Sequence, residues 1–194
     1  MKYKLLTDET KVLNGVTLYR IQALKDFSNV MAGDKGGWIE KESNLSHEGN
    51  AWIYDDAMVF INAEVNGGAV VYGNAWVCGN AKVYNDAKVY GDAMISGNAK
   101  IYGNAKVYDG AWIYDNAEVY EEGKVYGDAR IYESAKVYGG ANVFGDAKVY
   151  GNAEVNGDSK IYEYAKVGGH AKIPGKVEVF GDTIFEGTTE VFEK

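Results

Sequence analysis

Ala51–Asp92 reads AWIYDD AMVFIN AEVNGG AVVYGN AWVCGN AKVYND AKVYGD, a run of six-residue units without insertion or deletion. Val or Ile holds every sixth position from Ile53 to Val191, Phe185 excepted, which makes 24 hexads. Two residues before each stands Ala in 19 of them, and Gly123, Ser159, Val177, Thr183 or Thr189 in the rest. A fixed short period is the mark of a solenoid. In A-K-V-Y, side chains alternate across a strand, so Ala and Val point to one side and Lys and Tyr to the other. Gly followed by Asn or Asp then breaks the strand, because these residues tolerate the positive φ that a tight corner needs. The expectation is a four-residue strand and a two-residue corner. Three such units close a triangular coil, with Ala where the interior is tightest. Eight coils stacked at about 4.8 Å make a rod of about 38 Å.

The pattern over residues 51–194 resembles the hexapeptide-repeat superfamily. The segment Gly36-Gly37-Trp38-Ile39-Glu40, with Asn50-Ala51-Trp52-Ile53-Tyr54, is also similar to YdcK-like bacterial proteins, a group labelled acyltransferases largely by fold. The resemblance implies an all-β fold, a single-stranded left-handed parallel β-helix shaped as a triangular prism of about eight 18-residue coils.

The first 50 residues lie outside the strict repeat. Val12-Leu13, Asn14-Gly15 and Val16–Leu24 give a strong hairpin signal within Thr10–Leu24. Residues 25–35 are polar and loop-like, and Ile39 and Leu45, six apart, are placed to start the first coil before a two-residue phase shift to Ile53. Residues 1–50 therefore read as a β-hairpin cap and first-coil junction, which would cover an open end of strand edges. At the other end, Val177, Thr183, Ile184, Phe185 and Thr189 are bulkier and could plug the prism, while Glu190, Glu193 and Lys194 would discourage strand addition.

The chain has 194 residues, with 25 Gly, 16 Tyr and a single Pro, a composition that a periodic fold explains. Net charge is −8, all of it carried by residues 51–194. That balance argues against direct binding to nucleic acid or an anionic membrane. Cys78 is the sole cysteine, so no intrachain disulfide forms. No apolar run is long enough to span a membrane, and MKYKLLTDETK lacks the features of a secretory signal, so a cytoplasmic location is expected.

Residues 18 apart stack, so outward positions form columns. The first face carries an aromatic column of Tyr54, Tyr72, Tyr90, Tyr108, Tyr126, Phe144, Tyr162 and Phe180 beside Trp52, Val70, Lys88, Lys106, Lys124, Asn142, Lys160 and Glu178. It reads either as a structural ladder or as a stacking platform for sugars, bases or a partner. The second face is expected to expose Met58, Phe60, Trp76, Met94, Trp112 and Tyr114 together. Such an apolar patch signals self-association or a protein partner, unless the cap folds over it. The third face carries Glu64, Lys82, Lys100, Glu118, Lys136, Glu154, Lys172 and Glu190, whose signs mostly alternate, and reads as solvated.

Chemistry is sparse. The superfamily's acyltransferases use a His base in a cleft between subunits of a trimer, commonly with a loop extruded from one coil. Here the only histidines are His47 at the cap junction and His170 at a corner, and no loop interrupts the hexads. His170 is a weak catalytic candidate. Two histidines are too few for the three-His metal site of the superfamily's carbonic anhydrases. No metal or cofactor is expected. The leading expectation is a non-catalytic binding or scaffold protein, a homo-oligomer (a trimer foremost) or the binder of a protein partner. The alternatives are an acyltransferase acting at trimer clefts, and an acidic phage or prophage decoy for a host nucleic-acid-binding protein.

Overall fold

A computed structural model describes residues 1–188 of the chain. Three cap strands open it: β1 (Tyr3–Leu13), β2 (Val16–Ala23) and β3 (Lys35–Ile39). From Trp52 to Phe185 follow strands of two residues, one per hexad. Each pairs in parallel with the strand 18 residues later, as in Val71↔Val89↔Val107, Val77↔Ile95↔Ile113 and Val83↔Ile101↔Val119. Three sheets result, the sides of a β-solenoid of about eight turns.

The ladder strands are shorter than the four residues the sequence suggests. The small residue that opens each hexad belongs to the corner. In most hexads its N–H donates to the carbonyl three residues back, as in Ala63 to Phe60 (3.3 Å) and Ala153 to Tyr150 (3.3 Å). Its side chain nevertheless faces inward, and from Ala51 to Ala171 every such Ala is buried, as is each Val or Ile two residues on. Ser159 takes an Ala position and satisfies its buried hydroxyl by donating to Asn156 O (2.7 Å).

Corners turn through a left-handed residue. Gly91 has φ 68°, and a Cβ there would sit 2.8 Å from the Asp109 amide nitrogen of the next coil. Where this position is not glycine it is mostly acidic: Asp55, Asp109, Asp115, Glu121, Glu133 and Glu163 all have φ of 53–58°. Each carboxylate accepts the N–H of the equivalent corner one coil on, as Glu121 does from Gly139 (2.9 Å) and Glu133 from Gly151 (2.7 Å). That amide has no ladder carbonyl to bond, so the acid supplies the acceptor. Along one edge Asn62, Asn80, Asn98 and Asn116 form an amide ladder at 3.0–3.2 Å.

The cap continues the second face. β1 and β2 are antiparallel about the Asn14-Gly15 turn. The first strand begins at Tyr3, earlier than the hairpin signal at Thr10, and a bulge between Leu6 and Thr10 absorbs the irregular TDE stretch. β2 pairs antiparallel with β3, and β3 runs parallel to the first solenoid strand of that face through Trp38↔Met58 and Ile39↔Val59. Leu45 bridges Val65 in parallel. These partners are 20 residues apart while Ile53↔Val71 are 18, so the expected two-residue shift lies between Leu45 and Ile53. The start of the chain locks the junction. Lys2 is buried and donates from Nζ to Ala51 O (2.8 Å), and burial lowers its pKa to about 8. The Tyr3 hydroxyl donates to Leu45 O (2.7 Å), and its ring stacks on His47 at 4.3 Å.

At the far end Val177 is buried, Phe185 packs against the core, and Ile184 is exposed. Thr189, Glu190, Val191, Glu193 and Lys194 lie outside the described residues.

Candidate binding surface

The apolar column of the second face is divided. Leu13, Val16 and Leu18, from the turn end of the cap hairpin, pack with Met58 and Phe60, and Trp38, Trp76 and Cys78 join the same cluster. Met58 and Phe60 are 7% exposed and so are not part of an open patch, a correction to the sequence expectation. The reason is the hairpin, whose apolar turn end needs the same surface. Burial also pushes the Cys78 thiol pKa up, which disfavours the nucleophilic thiolate.

Two coils further on the column emerges. Met94 and Tyr114 are half-buried and Trp112 is 43% exposed. With Ser96, Gly97, Asp115 and Arg130 they line an open cleft of about 400 Å³. The Arg130 guanidinium lies 5.2 Å from the Trp112 ring centroid, a cation–π contact. Tyr114 starts a stacked column with Tyr132 (5.0 Å) and Tyr150 (5.3 Å), and the Tyr150 hydroxyl bonds Glu186. The cleft is mostly apolar with one cation at its rim, a composition suited to a protein partner.

The aromatic column of the first face is a ladder. From Tyr72 to Phe180 successive rings lie 4.6–5.3 Å apart, with interplanar angles of at most 15°. Each inner ring has both faces covered by its neighbours, so solvent meets only ring edges. That geometry leaves no open face for a sugar or base to stack on. Burial, before any charge effect, raises the Tyr108 pKa to about 12. Tyr54, at the head of the column, packs against the core and bonds Asn29 (3.4 Å) instead. Trp52, read as outward, is 1% exposed because Tyr3 and Phe27 pack edge-on against it.

A second stacked column, Tyr84, Tyr102, Tyr120 and Tyr138, borders the third face at 4.8–4.9 Å. These tyrosines follow the core aliphatic of each hexad, whereas the charged residues of that face precede it. The 18-residue spacing of these four tyrosines was the available signal. The charges of the third face interlock. Lys82 pairs with Glu64 (3.3 Å) and Lys100 with Glu118 (2.9 Å), and the Tyr102 hydroxyl donates to Glu118 (3.0 Å).

His170 and His47 lie at opposite ends of the rod. His170 is exposed at its corner, and among the described residues its side chain makes no hydrogen bond. His47 accepts the Lys2 N–H on Nδ1 (3.2 Å), so its proton sits on Nε2, 3.9 Å from Glu42. The structure does not bring the two histidines together. Among the described residues no group of three or more His, Cys, Asp or Glu side chains is placed to hold a metal ion, and no helix is long and apolar enough to cross a membrane.

No protein-family model matches the chain. It is 47% identical over 60 residues to the uncharacterized acetyltransferase YdcK of Escherichia coli strain K12, a stretch that is 30% of this chain and 18% of that protein. The chain thus matches about a fifth of that relative's length. The three-sided 18-residue coil makes the chain a β-solenoid, and the shared segment and coil are consistent with the hexapeptide-repeat superfamily.

Proposed function

We propose that the protein is a non-catalytic binding scaffold whose second face takes a protein partner at Met94, Trp112 and Tyr114. The observation that carries this reading is the division of one apolar column. The cap covers Met58 and Phe60, yet three coils on the Trp112 indole is left 43% exposed beside an open cleft. Large aromatic side chains in such positions dominate binding energy. The test is capture of binding partners by immobilised wild type and by Trp112→Glu. A partner retained equally by both would sink the proposal. Trp112→Glu is expected to cost at least about 2 kcal/mol of binding, the loss typical of an aromatic anchor.

A second reading, acyl transfer, is favoured by the match to YdcK. It needs a base, and His170 and His47 are the histidines on offer. Acyl transfer abolished by His170→Ala would establish it and would displace the scaffold reading. Transfer unaffected by either His→Ala variant would remove its basis.

A further inference from the structure

The first and third faces are separate sheets with the same parallel 18-residue pairing, and both carry lysines. On the third face glutamates stand among the lysines, and Lys82 and Lys100 form ion pairs with Glu64 and Glu118. On the first, Lys88, Lys106 and Lys124 stand in register in successive strands. Among the described residues none of the three forms an ion pair or a side-chain hydrogen bond. Like charges directly opposite in a sheet are destabilising. A lysine column on a chain of net charge −8 therefore calls for carboxylates from elsewhere.

The chain itself has a matching set. Along each first-face strand the order is Lys, core aliphatic, Tyr, then the corner shared with the second face. That corner carries Asp92, Asp109, Asp128 and Asp146 in successive coils. The lysines stand on one side of the face, beyond which the third-face corners carry Asp86, Glu121 and Glu122; acids alone border the other side, and the aromatic edges lie between. We propose that a second copy of this chain packs on this face, the two rods parallel and related by a two-fold axis along the rod direction.

Symmetry selects that arrangement. A two-fold axis along the rods exchanges the sides of the face, so each lysine column meets the partner's acidic edge. A two-fold axis across the rods would set lysine against lysine. Both sides repeat with the coil, so Lys88 meets Asp92 and Lys124 meets Asp128 of the facing copy, while in the coil between them Gly110 holds the equivalent place and the nearest acid, Asp109, stands one residue earlier with a carboxylate that also accepts the Gly127 N–H. Tyr90, Tyr108 and Tyr126 then meet at the centre, where interfaces favour aromatic residues. From strand spacing and rise, the face between Tyr72 and Phe180 measures roughly 30 Å by roughly 13 Å. On the order of 400 Å² is then buried per copy, at the weak end for a specific interface. The dimer is therefore concentration-dependent and weakened by salt.

The test is mixing of charge-reversed chains. One variant carries Lys88→Glu, Lys106→Glu and Lys124→Glu, the other Asp92→Lys, Asp128→Lys and Asp146→Lys. All six side chains lie on the surface, and circular dichroism checks that each variant keeps its fold. In sedimentation equilibrium the wild type is expected to rise toward a mass of two chains with concentration, and to fall back in high salt. Each variant alone stays at one chain. Their equimolar mixture recovers the two-chain species, because reversing opposite columns restores attraction on both sides. A wild type that stays at one chain, a three-chain assembly, or a mixture that stays at one chain would each overturn the proposal. The wild-type salt series holds even if a variant misfolds. Trp112→Glu, on another face, is expected to leave the dimer intact, so this interface and the partner site fail separately.

Discussion

The cap junction and the repeating coils lean on glycine differently. In the coils it first supplies a backbone angle, and at inner corners such as Gly91 it also lets the next coil pass closely. Gly181 has φ 67° with only the Glu163 carboxylate near the place of a Cβ, at 3.9 Å. At the junction it supplies room. Gly36 and Gly37 have ordinary backbone angles, but a Cβ on Gly37 would lie 2.4 Å from Ile53 Cγ2 and 2.6 Å from Ala57 O. The coil solution is redundant, since many corners share it and acids can replace it. The junction solution occurs once, where β3 must lie against the first coil. Stability in a repeat is a sum of similar local terms, so a fault in one coil stays local while a fault at the junction unseats the whole cap.

Gly37→Val is the strongest way to break this contrast. The clash includes a backbone carbonyl and has no rotamer to escape into, so the loss is expected to reach about 3 kcal/mol, the upper range for overpacking. Chemical denaturation measures it, and the freed hairpin should leave Met58 and Phe60 accessible to solvent. A variant that unfolds at the wild-type midpoint would show that the junction is not a unique contact.

Alkaline pH separates the two regions without mutation. Lys2 in the cap has a folded pKa of about 8, against an ordinary value of 10.5. Between those values the unfolded chain holds a proton that the folded chain has lost, so stability rises with pH. In the coils, burial lifts Tyr108 and Tyr120 to about 12, and the bond to Glu186 does the same for Tyr150; burial raises Tyr3 of the cap too, so the cap adds one tyrosine to a limb that the coils dominate. Between about 10 and 12 the folded chain keeps protons that the unfolded chain has lost, so stability falls. A maximum near pH 10 is expected, steeper on the alkaline side because several tyrosines contribute. Lys2→Met should flatten the rising limb, and Tyr108→Phe should soften the falling one. A steady decline from pH 8 would mean that the Lys2 charge is not held in a dry site.

The coils were legible in the sequence because one rule is written 24 times, and even the shifted first coil showed in the spacing of Ile39, Leu45 and Ile53. The cap was legible only as a hairpin. Nothing in MKYKLL announces that Lys2 would be buried, since that depends on carbonyls at residues 49 and 51 left open by the phase shift. The candidate patch was half legible. Its column could be read from the period, but which rungs stay open depends on how the hairpin turn packs, a long-range contact without a local signal. The aromatic ladder was readable as a column, whereas its closed ring faces follow from side-chain geometry alone.

The smallest predicted effects bear on where the negative charge comes from. Asp115 holds φ 56° and accepts the Glu133 N–H at 3.2 Å. Asp115→Ala keeps the strained angle and loses the acceptor, and should cost about 1–2 kcal/mol. Asp115→Gly relieves the angle while losing the same bond, and should stay within about 0.5 kcal/mol of wild type. Ile61 is the odd member of the series, a β-branched residue at φ 60° beside the cap, its N–H accepted by Glu40 at 2.6 Å. Ile61→Gly keeps that bond, removes the strain and should raise stability by up to about 1 kcal/mol. If thermal melts follow this order, the corner acids are fold chemistry, and part of the net −8 is explained without a basic partner. If Asp115→Ala is silent instead, those carboxylates are free of structural duty and a basic partner becomes the better account of them.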